Sequence, residues 1–199
     1  MLENREFVLA TNNSHKLREV RRLFPGFSVL CPEDLGVNFS YAEGDESYLA
    51  NALGKARALY ALIRRPVLAD DSGLSVPALG GAPGLHSARY GSEELGRSLT
   101  DREKIDFLLE NMADREERGC FFVCCMVLLV KEERFLVVQE AAYGTLARTP
   151  AGSGGFGYDP IFRVPQAGKA MAELTDAEKD LFSHRGRAAR RLLALLSGS

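Results

Sequence analysis

Three features of this 199-residue sequence predict an α/β fold on a mixed β-sheet. In its first part, apolar runs of strand length alternate with amphipathic helical stretches, the pattern of parallel strands connected through helices. The run Phe121–Val130 (FFVCCMVLLV) is apolar at every position, as expected of a central strand covered on both faces. A second strand follows it after only a Lys131–Glu133 turn, which supplies an antiparallel pair.

The elements follow in order. Glu6–Thr11 (EFVLAT) reads as a first strand and runs into Asn12, Asn13 and Ser14, all good helix N-caps. In the helix that follows, Leu17, Val20 and Phe24 recur at helical spacing, with Arg18, Glu19, Arg21 and Arg22 on the opposite, polar face. Pro25 and Gly26 end it, and Phe27–Cys31 forms a short second strand. A long helix spans Tyr48 to about Arg64, with Leu49, Leu53, Ala56 and Tyr60 on one stripe, and Pro66 closes it. The apolar run Val67, Leu68, Ala69 then ends at Asp70 and Asp71, and Leu74–Leu79 reads as a hairpin arm or short strand. Residues 80–92 are a long glycine-rich loop, of the kind that is usually functional or mobile.

Thr100 and Glu103 make a capping box for a helix through Met112. Strands at Gly119–Val130 and Arg134–Tyr143 follow, then a second glycine-rich loop at 151–160 (AGSGGFGYDP). Thr175 and Glu178 form another capping box, and a final helix runs from His184 to Leu196.

Hydrophobic residues make up 46% and charged residues 26% of the chain, ordinary values for a soluble globular protein. The formal net charge of −2 argues against a broad nucleic-acid surface while allowing a local basic pocket. No apolar run is long enough to cross a bilayer, and MLENREF lacks the apolar core of a signal peptide. Cys31, Cys120, Cys124 and Cys125 lack metal-ligand spacing and read as reduced core thiols of a cytoplasmic protein.

Four stretches carry candidate chemistry. In ADDSGL (69–74), adjacent carboxylates at the end of a buried strand need a cation or donors to meet them, so they read as a metal and water site or as a turn. In ATNNSHK (10–16), a strand leads into a helix N-terminus with Lys16 in its first turn: an anion site, or simply a capped helix. It is no Walker A loop, since the glycines and the Gly-Lys-Ser/Thr ending are missing. In the second glycine-rich loop, Phe156 and Tyr158 either stack on a planar base, with Asp159 accepting from its edge, or pack inward. His184 and Arg185, close after Lys179, begin a helix where its dipole prefers anions; two donors there suit an acceptor-rich ligand. Glu43 and Lys55 read alone as a solvated acid and a surface lysine.

Taken together, TNNSHK, EGDES…ANALGKA, ADDSGL, LGGAPGLHSARY, GGFGYDPIF and MAELTDAEKDLFSHR resemble, in order and over nearly the whole chain, the inosine triphosphatase family. The resemblance implies a single ITPase-like domain over residues 1–199, an elongated mixed sheet flanked by helices, with two lobes and a substrate cleft between them. It implies a cytoplasmic homodimer that uses Mg²⁺ to hydrolyse the α–β phosphoanhydride of ITP, dITP and XTP, releasing the monophosphate and pyrophosphate. The substrate is a small nucleotide, with no nucleic-acid polymer and no membrane involved.

Carried over motif by motif, Thr11, Asn12, Asn13, Ser14, His15 and Lys16 form the first phosphate-binding turn, and Lys55 contacts phosphate from the long helix. Glu43 and Asp71 hold the metal; Asp71 is also the catalytic proton acceptor, and Ser72 touches substrate. Asp70 is a supporting residue, because strand alternation turns it to the other face. Phe156, Gly157, Tyr158 and Asp159 form the base-binding loop, and Lys179, His184 and Arg185 read the oxo-purine edge. Asn12 stands where the family most often has glycine, and the turn is expected to survive because Asn tolerates unusual backbone angles. Two other readings use the same motifs: a non-catalytic purine-nucleotide binding protein, and a pyrophosphatase for a different base.

Overall fold

The computed structural model describes residues 4–197. The stretch MLENREF, read above as free of a signal peptide, lies partly outside the described residues. Seven strands form one mixed sheet: β1 (Glu6–Leu9), β2 (Ser28–Leu30), β3 (Val67–Ser75), β4 (Gly119–Lys131), β5 (Arg134–Leu146), β6 (Phe162–Val164) and β7 (Lys169–Ala170). Their order is β2-β1-β3-β4-β5-β6-β7, which puts β4, with its apolar run 121–130, at the centre, as that composition requires. β1 pairs in parallel with β2 and β3, whereas β5–β6 and β6–β7 are antiparallel. The helices are α1 (Ser14–Leu23), α2 (Tyr48–Ile63), α3 (Asp101–Asn111), α4 (Asp176–Phe182) and α5 (His184–Ser197). Among the described residues no helix is long and apolar enough to cross a membrane.

The chain divides into two compact units. The first takes in the chain up to Asp71, Cys124–Glu140 and the chain from Arg185; the second takes in Ser72–Val123 and Ala141–His184. In the first unit the period-2 alternation of the strands separates two cores. Phe7, Leu9, Leu68, Cys124, Met126 and Leu128 pack with Val20 and Leu23 of α1 and Ala188, Ala189 and Leu192 of α5. Their neighbours Val8, Val67, Ala69, Cys125, Val127 and Leu129 pack with Ala52, Ala56 and Leu59 of α2. In the second unit, Leu74, Val76, Phe122, Leu146 and Phe162 enclose a separate core with Ile105 and Leu108 of α3 and with Met112 just after it. All four cysteines are free and buried.

Three sequence expectations need correction. β3 does not end at the two acids: it runs on to Ser75, because Leu74 beyond them is fully buried in the second unit's core. The most deeply buried side of α2 is Asn51, Ala52, Lys55, Ala56 and Leu59; of the predicted stripe Ala56 is buried, Leu53 and Tyr60 pack at the margin of the same core, and only Leu49 lies outside it. Small Ala52 and Ala56 meet the sheet, and Leu49 is 40% exposed. On α1, Glu19 is buried and not on the solvated face, since it pairs with a buried arginine.

Both capping boxes form: Thr100 caps α3 with Glu103, and Thr175 caps α4 with Glu178. The hydrogen bond from Arg97, followed by those from the Thr100 backbone and hydroxyl, holds the Glu103 carboxyl at about 2, below its ordinary value of 4.5. A depressed carboxylate contributes stability that is present above its unfolded value and lost as pH falls through its folded one. Glu103→Gln is therefore expected to melt below the native protein at neutral pH, with the gap closing between pH 4.5 and about 2. Thermal unfolding across that range, followed by circular dichroism, checks it; a gap independent of pH contradicts it.

Candidate active site

The first unit gathers most of the predicted phosphate and metal residues. Asn13 caps α1, its Oδ1 accepting from the backbone N–H of His15 at 2.9 Å and of Lys16 at 3.1 Å. Thr11 Oγ1 accepts from the Asn13 N–H at 3.1 Å, and the Asn12 amide donates to the Phe39 carbonyl at 2.8 Å. The turn thus forms as expected, though for another reason: Asn12 does not take a left-handed conformation but ties the turn to the segment beside it. Thr11, Asn12, Asn13 and Ser14 border a pocket of about 490 Å³, whose far side includes Gly36–Phe39. His15 is exposed and lies 2.8 Å from Arg18 through its ring nitrogen.

Strand alternation sends Asp70 towards α1 and α5, and Asp71 towards α2. Asp70 Oδ2 lies 3.2 Å from Lys16 Nζ and accepts from Arg185 Nε at 3.2 Å and Nη2 at 2.9 Å. Arg185 Nη1 in turn donates to Glu19 Oε2 at 2.7 Å. Two acids and two bases thus meet with no net charge, Asp70, Glu19 and Arg185 buried and Lys16 half-buried at the edge of the group, the condition under which ionised groups survive away from water. Burial alone would raise Asp70, but Lys16, Arg185 and Lys55 overcome it and hold the carboxyl well below its usual range. The same acids keep Arg185 charged against its burial.

On the other face Lys55 is buried, not on the surface, and its Nζ lies between carboxylates. It donates to Glu43 Oε1 at 2.7 Å, to the Asp70 carbonyl at 2.8 Å and to Asp71 Oδ1 at 3.3 Å. Burial opposes the charge on Lys55, and Asp71, Asp70 and Glu43 more than compensate, so its pKa is raised. For Asp71, burial dominates and Glu43 adds repulsion; Lys55 and a hydrogen bond from Asn51 only partly offset them, leaving the carboxyl above its ordinary value. Glu43 and Asp71 offer hard oxygens to one small cation, and Asp71 Oδ1 and Glu43 Oε1 already share an ammonium. That fits Mg²⁺, which commonly takes one or two carboxylates together with substrate phosphates. Among the described residues no three His, Cys, Asp or Glu side chains form an all-protein cage. Burial pushes the Cys120 thiol up to about 12 and the Cys125 thiol up to about 11.

The second unit holds the glycine-rich loop. Asp159 is buried, its Oδ2 accepting from the Phe156 N–H at 2.9 Å and from Lys179 Nζ at 2.6 Å. Lys179 Nζ also stands 5.0 Å from the centre of the half-buried Phe156 ring, a cation–π pair. Gly155 has φ +72° and passes so close to Asp159 and Lys179 that a side chain would collide with both. The Gly157 N–H donates to Asp101 Oδ2 at 2.9 Å. Tyr158 takes the inward-packing alternative: it is buried in the core, and its hydroxyl donates to the Ser87 carbonyl at 3.0 Å. His184 is buried and stacked on Phe122, with centroids 4.6 Å apart. Ser72 belongs to this unit and is half-buried.

Phe156, Asp159 and Lys179 are therefore brought together, whereas Arg185 is held by Asp70 and Glu19 in the other unit. Two participants were missed in the sequence reading. Glu19 was missed because its partner is 166 residues away in the chain. Asn51 left a fainter signal: it lies one turn from Lys55 on the same helical face, in a position that an apolar stripe would otherwise occupy.

Residues 7–195 match the family model described as the Ham1 family. The chain is 47% identical over 194 residues to a dITP/XTP pyrophosphatase of Treponema denticola, covering 98% of this chain and 100% of that one. It is 44% identical over 195 residues to the dITP/XTP pyrophosphatase of Escherichia coli K12, covering 95% and 96%. Among solved structures, a HAM1 protein from Coxiella burnetii superposes with a TM-score of 0.86 at 38% identity, covering 98% of this chain and 99% of that one. The Staphylococcus aureus Ham1 protein gives a TM-score of 0.84 at 36% identity, covering 97% and 98%.

Removing the Asp70 charge would leave the buried Arg185 facing Glu19 alone, with the half-buried Lys16 beside it. Asp70→Asn is expected to cost about 3–5 kcal/mol of stability, the usual result of breaking a buried ion group on one side. Urea denaturation measures it, and a loss below 1 kcal/mol, on the order of a solvated surface pair, contradicts the burial argument.

Proposed function

The chain belongs to the Ham1 family, and we infer that it is a nucleoside triphosphate pyrophosphatase acting on the non-standard purine nucleotides ITP, dITP and XTP. The observation that carries this reading is Lys55 held between Glu43 and Asp71, a cation and two acids beside one another at a buried strand. That is the inventory a triphosphate with a divalent cation requires: positive charge for phosphate oxygens, carboxylates for the metal.

In this mechanism Thr11, Asn13 and Lys16 at the start of α1, together with Lys55, bind the phosphates. Glu43 and Asp71 hold Mg²⁺, which when bound neutralises phosphate charge. Asp71 orients the water attacking the α–β phosphoanhydride and accepts its proton. The water oxygen bonds to phosphorus as the bridging P–O bond of the α–β anhydride breaks, giving the monophosphate and pyrophosphate. A buried catalytic acid with two lysines nearby also argues against the merely binding alternative.

Discrimination rests on the base edge. Hypoxanthine and xanthine present a carbonyl where adenine has an amino donor, so donors from Lys179 and His184 pair with the former and oppose the latter. Phe156 supplies the ring face, and Asp159 sets the direction of Lys179. Tyr158 contributes through the loop's shape, since its ring is in the core. Arg185, pinned by Asp70 and Glu19, secures the first turn of α5 directly after His184. Ser72, next to Asp71, contacts substrate. A homodimer, a cytoplasmic location and one functional domain with two lobes belong to the same reading.

The wild-type protein with Mg²⁺ is expected to convert ITP to IMP and pyrophosphate; release of orthophosphate instead would sink the assignment. Asp71→Asn is expected to lower kcat by at least about a hundredfold, as loss of a general base does. In a kcat/KM panel of ITP, XTP, GTP, ATP and pyrimidine triphosphates, ITP and XTP are expected to lead. Lys179→Met is expected to narrow the ITP-to-ATP ratio by about tenfold or more, the weight of one charged hydrogen bond. Preference for a pyrimidine would favour the different-base reading.

A further inference from the structure

Asn51 sits in the first turns of α2 and is 2% exposed, a polar side chain in the buried face of a helix. Its amide is fully engaged. Oδ1 accepts from the Gly44 N–H at 2.8 Å, and Nδ2 donates both to the Gly44 carbonyl at 3.0 Å and to Asp71 Oδ2 at 3.1 Å. Both amide hydrogens and the carbonyl are thus assigned, and the orientation is dictated by the donor and acceptor of one peptide unit. Gly44 directly follows Glu43, so one side chain binds the backbone next to one acid and the carboxylate of the other.

A second contact braces the same segment. Tyr41 lies against α2 at Gly54, so closely that a side chain at that glycine would meet its ring and hydroxyl. The loop 41–44 is therefore held at two points one helical turn apart, and Lys55 draws the Glu43 carboxylate in from the same face.

We propose that Asn51 is a positioning residue that sets the separation of Glu43 and Asp71, and thereby pre-forms the carboxylate pair that takes the divalent cation. This rests on the reading of Glu43 and Asp71 as metal ligands. Partners behind metal ligands typically change metal affinity by about 10–100-fold when removed. Lys55 alone cannot supply this, because a single ammonium on a flexible stem accepts carboxylates from a range of positions.

The test is Mn²⁺ titration of the purified protein without nucleotide, followed by water-proton relaxation. Asn51→Leu keeps the volume and removes all three bonds; Asn51→Gln keeps the amide and displaces it by one methylene. Both are expected to weaken Mn²⁺ binding at least about tenfold while circular dichroism stays native. Under turnover, the Mg²⁺ concentration for half-maximal rate is expected to rise in parallel, with KM for ITP at saturating Mg²⁺ within about twofold of wild type. Mn²⁺ affinity within twofold of wild type in either folded variant overturns the proposal. So does a fall in kcat with unchanged Mn²⁺ affinity, and so does failure of both variants to fold, which makes Asn51 a folding determinant only. Because metal binding is read without turnover, these results are separate from a failure of the wild type to release pyrophosphate from ITP, which would sink the parent reading alone.

Discussion

Consecutive residues of a strand point to opposite faces, and at Asp70 and Asp71 this geometric rule divides two carboxylates between two environments. Asp70 meets Lys16, Arg185 and, through Arg185, Glu19, in an enclosed group with no net charge. Asp71 meets Lys55, Asn51 and, through Lys55, Glu43, in a group that keeps one more acid than base. The first arrangement drives its carboxyl far into the ionised form, and the second holds its carboxyl above the ordinary value. Neighbours in sequence thus acquire opposite electrostatic roles, as expected when environment and not identity sets a carboxylate's behaviour.

The rest of the first unit is consistent with this division. α1 and α5 cover one side of β1, β3 and β4 through Val20, Leu23, Ala188 and Leu192, and the same helices carry Lys16, Glu19 and Arg185. α2 covers the other side through Ala52, Ala56 and Leu59, and carries Asn51 and Lys55. Each helix therefore presents apolar residues to the apolar part of β3 and charged ones where the strand becomes acidic. The buried charges are tolerable because every one faces an opposite charge, so the polar group and the core reinforce a single register.

In the second unit a different device holds the residues of the proposed base site. Asp159 binds its own loop at the Phe156 N–H and reaches Lys179 on α4, whose capping box fixes where that helix begins. Gly155 permits the close approach, and Tyr158 anchors the loop to the core through Ser87. The glycines and aromatics that marked the loop in the sequence serve distinct purposes: the half-buried Phe156 ring lies beside the Lys179 ammonium, and Tyr158 packs in the core.

Much of this was legible without coordinates. The cap at Asn13 and the capping boxes at Thr100 and Thr175 are local chemistry, and these helices start where they predict. The all-apolar run at 121–130 identified the central strand, and alternation alone separated Asp70 from Asp71. Six motifs in order identified the family. What remained hidden were facts about partners distant in the chain: that Glu19 is buried, that Lys55 is not a surface lysine, that Tyr158 points inward, and that Arg185 serves Asp70. Hydrophobic periodicity placed the centre of the buried face of α2 to one side, because Asn51 and Lys55 occupy it and a buried polar residue looks the same in sequence as an exposed one. Caps, strand alternation and motif order depend on neighbouring residues and can be read from them. Burial and ion pairing depend on which distant groups the fold brings within about 3 Å, where a hydrogen bond repays desolvation, and only the tertiary structure decides that.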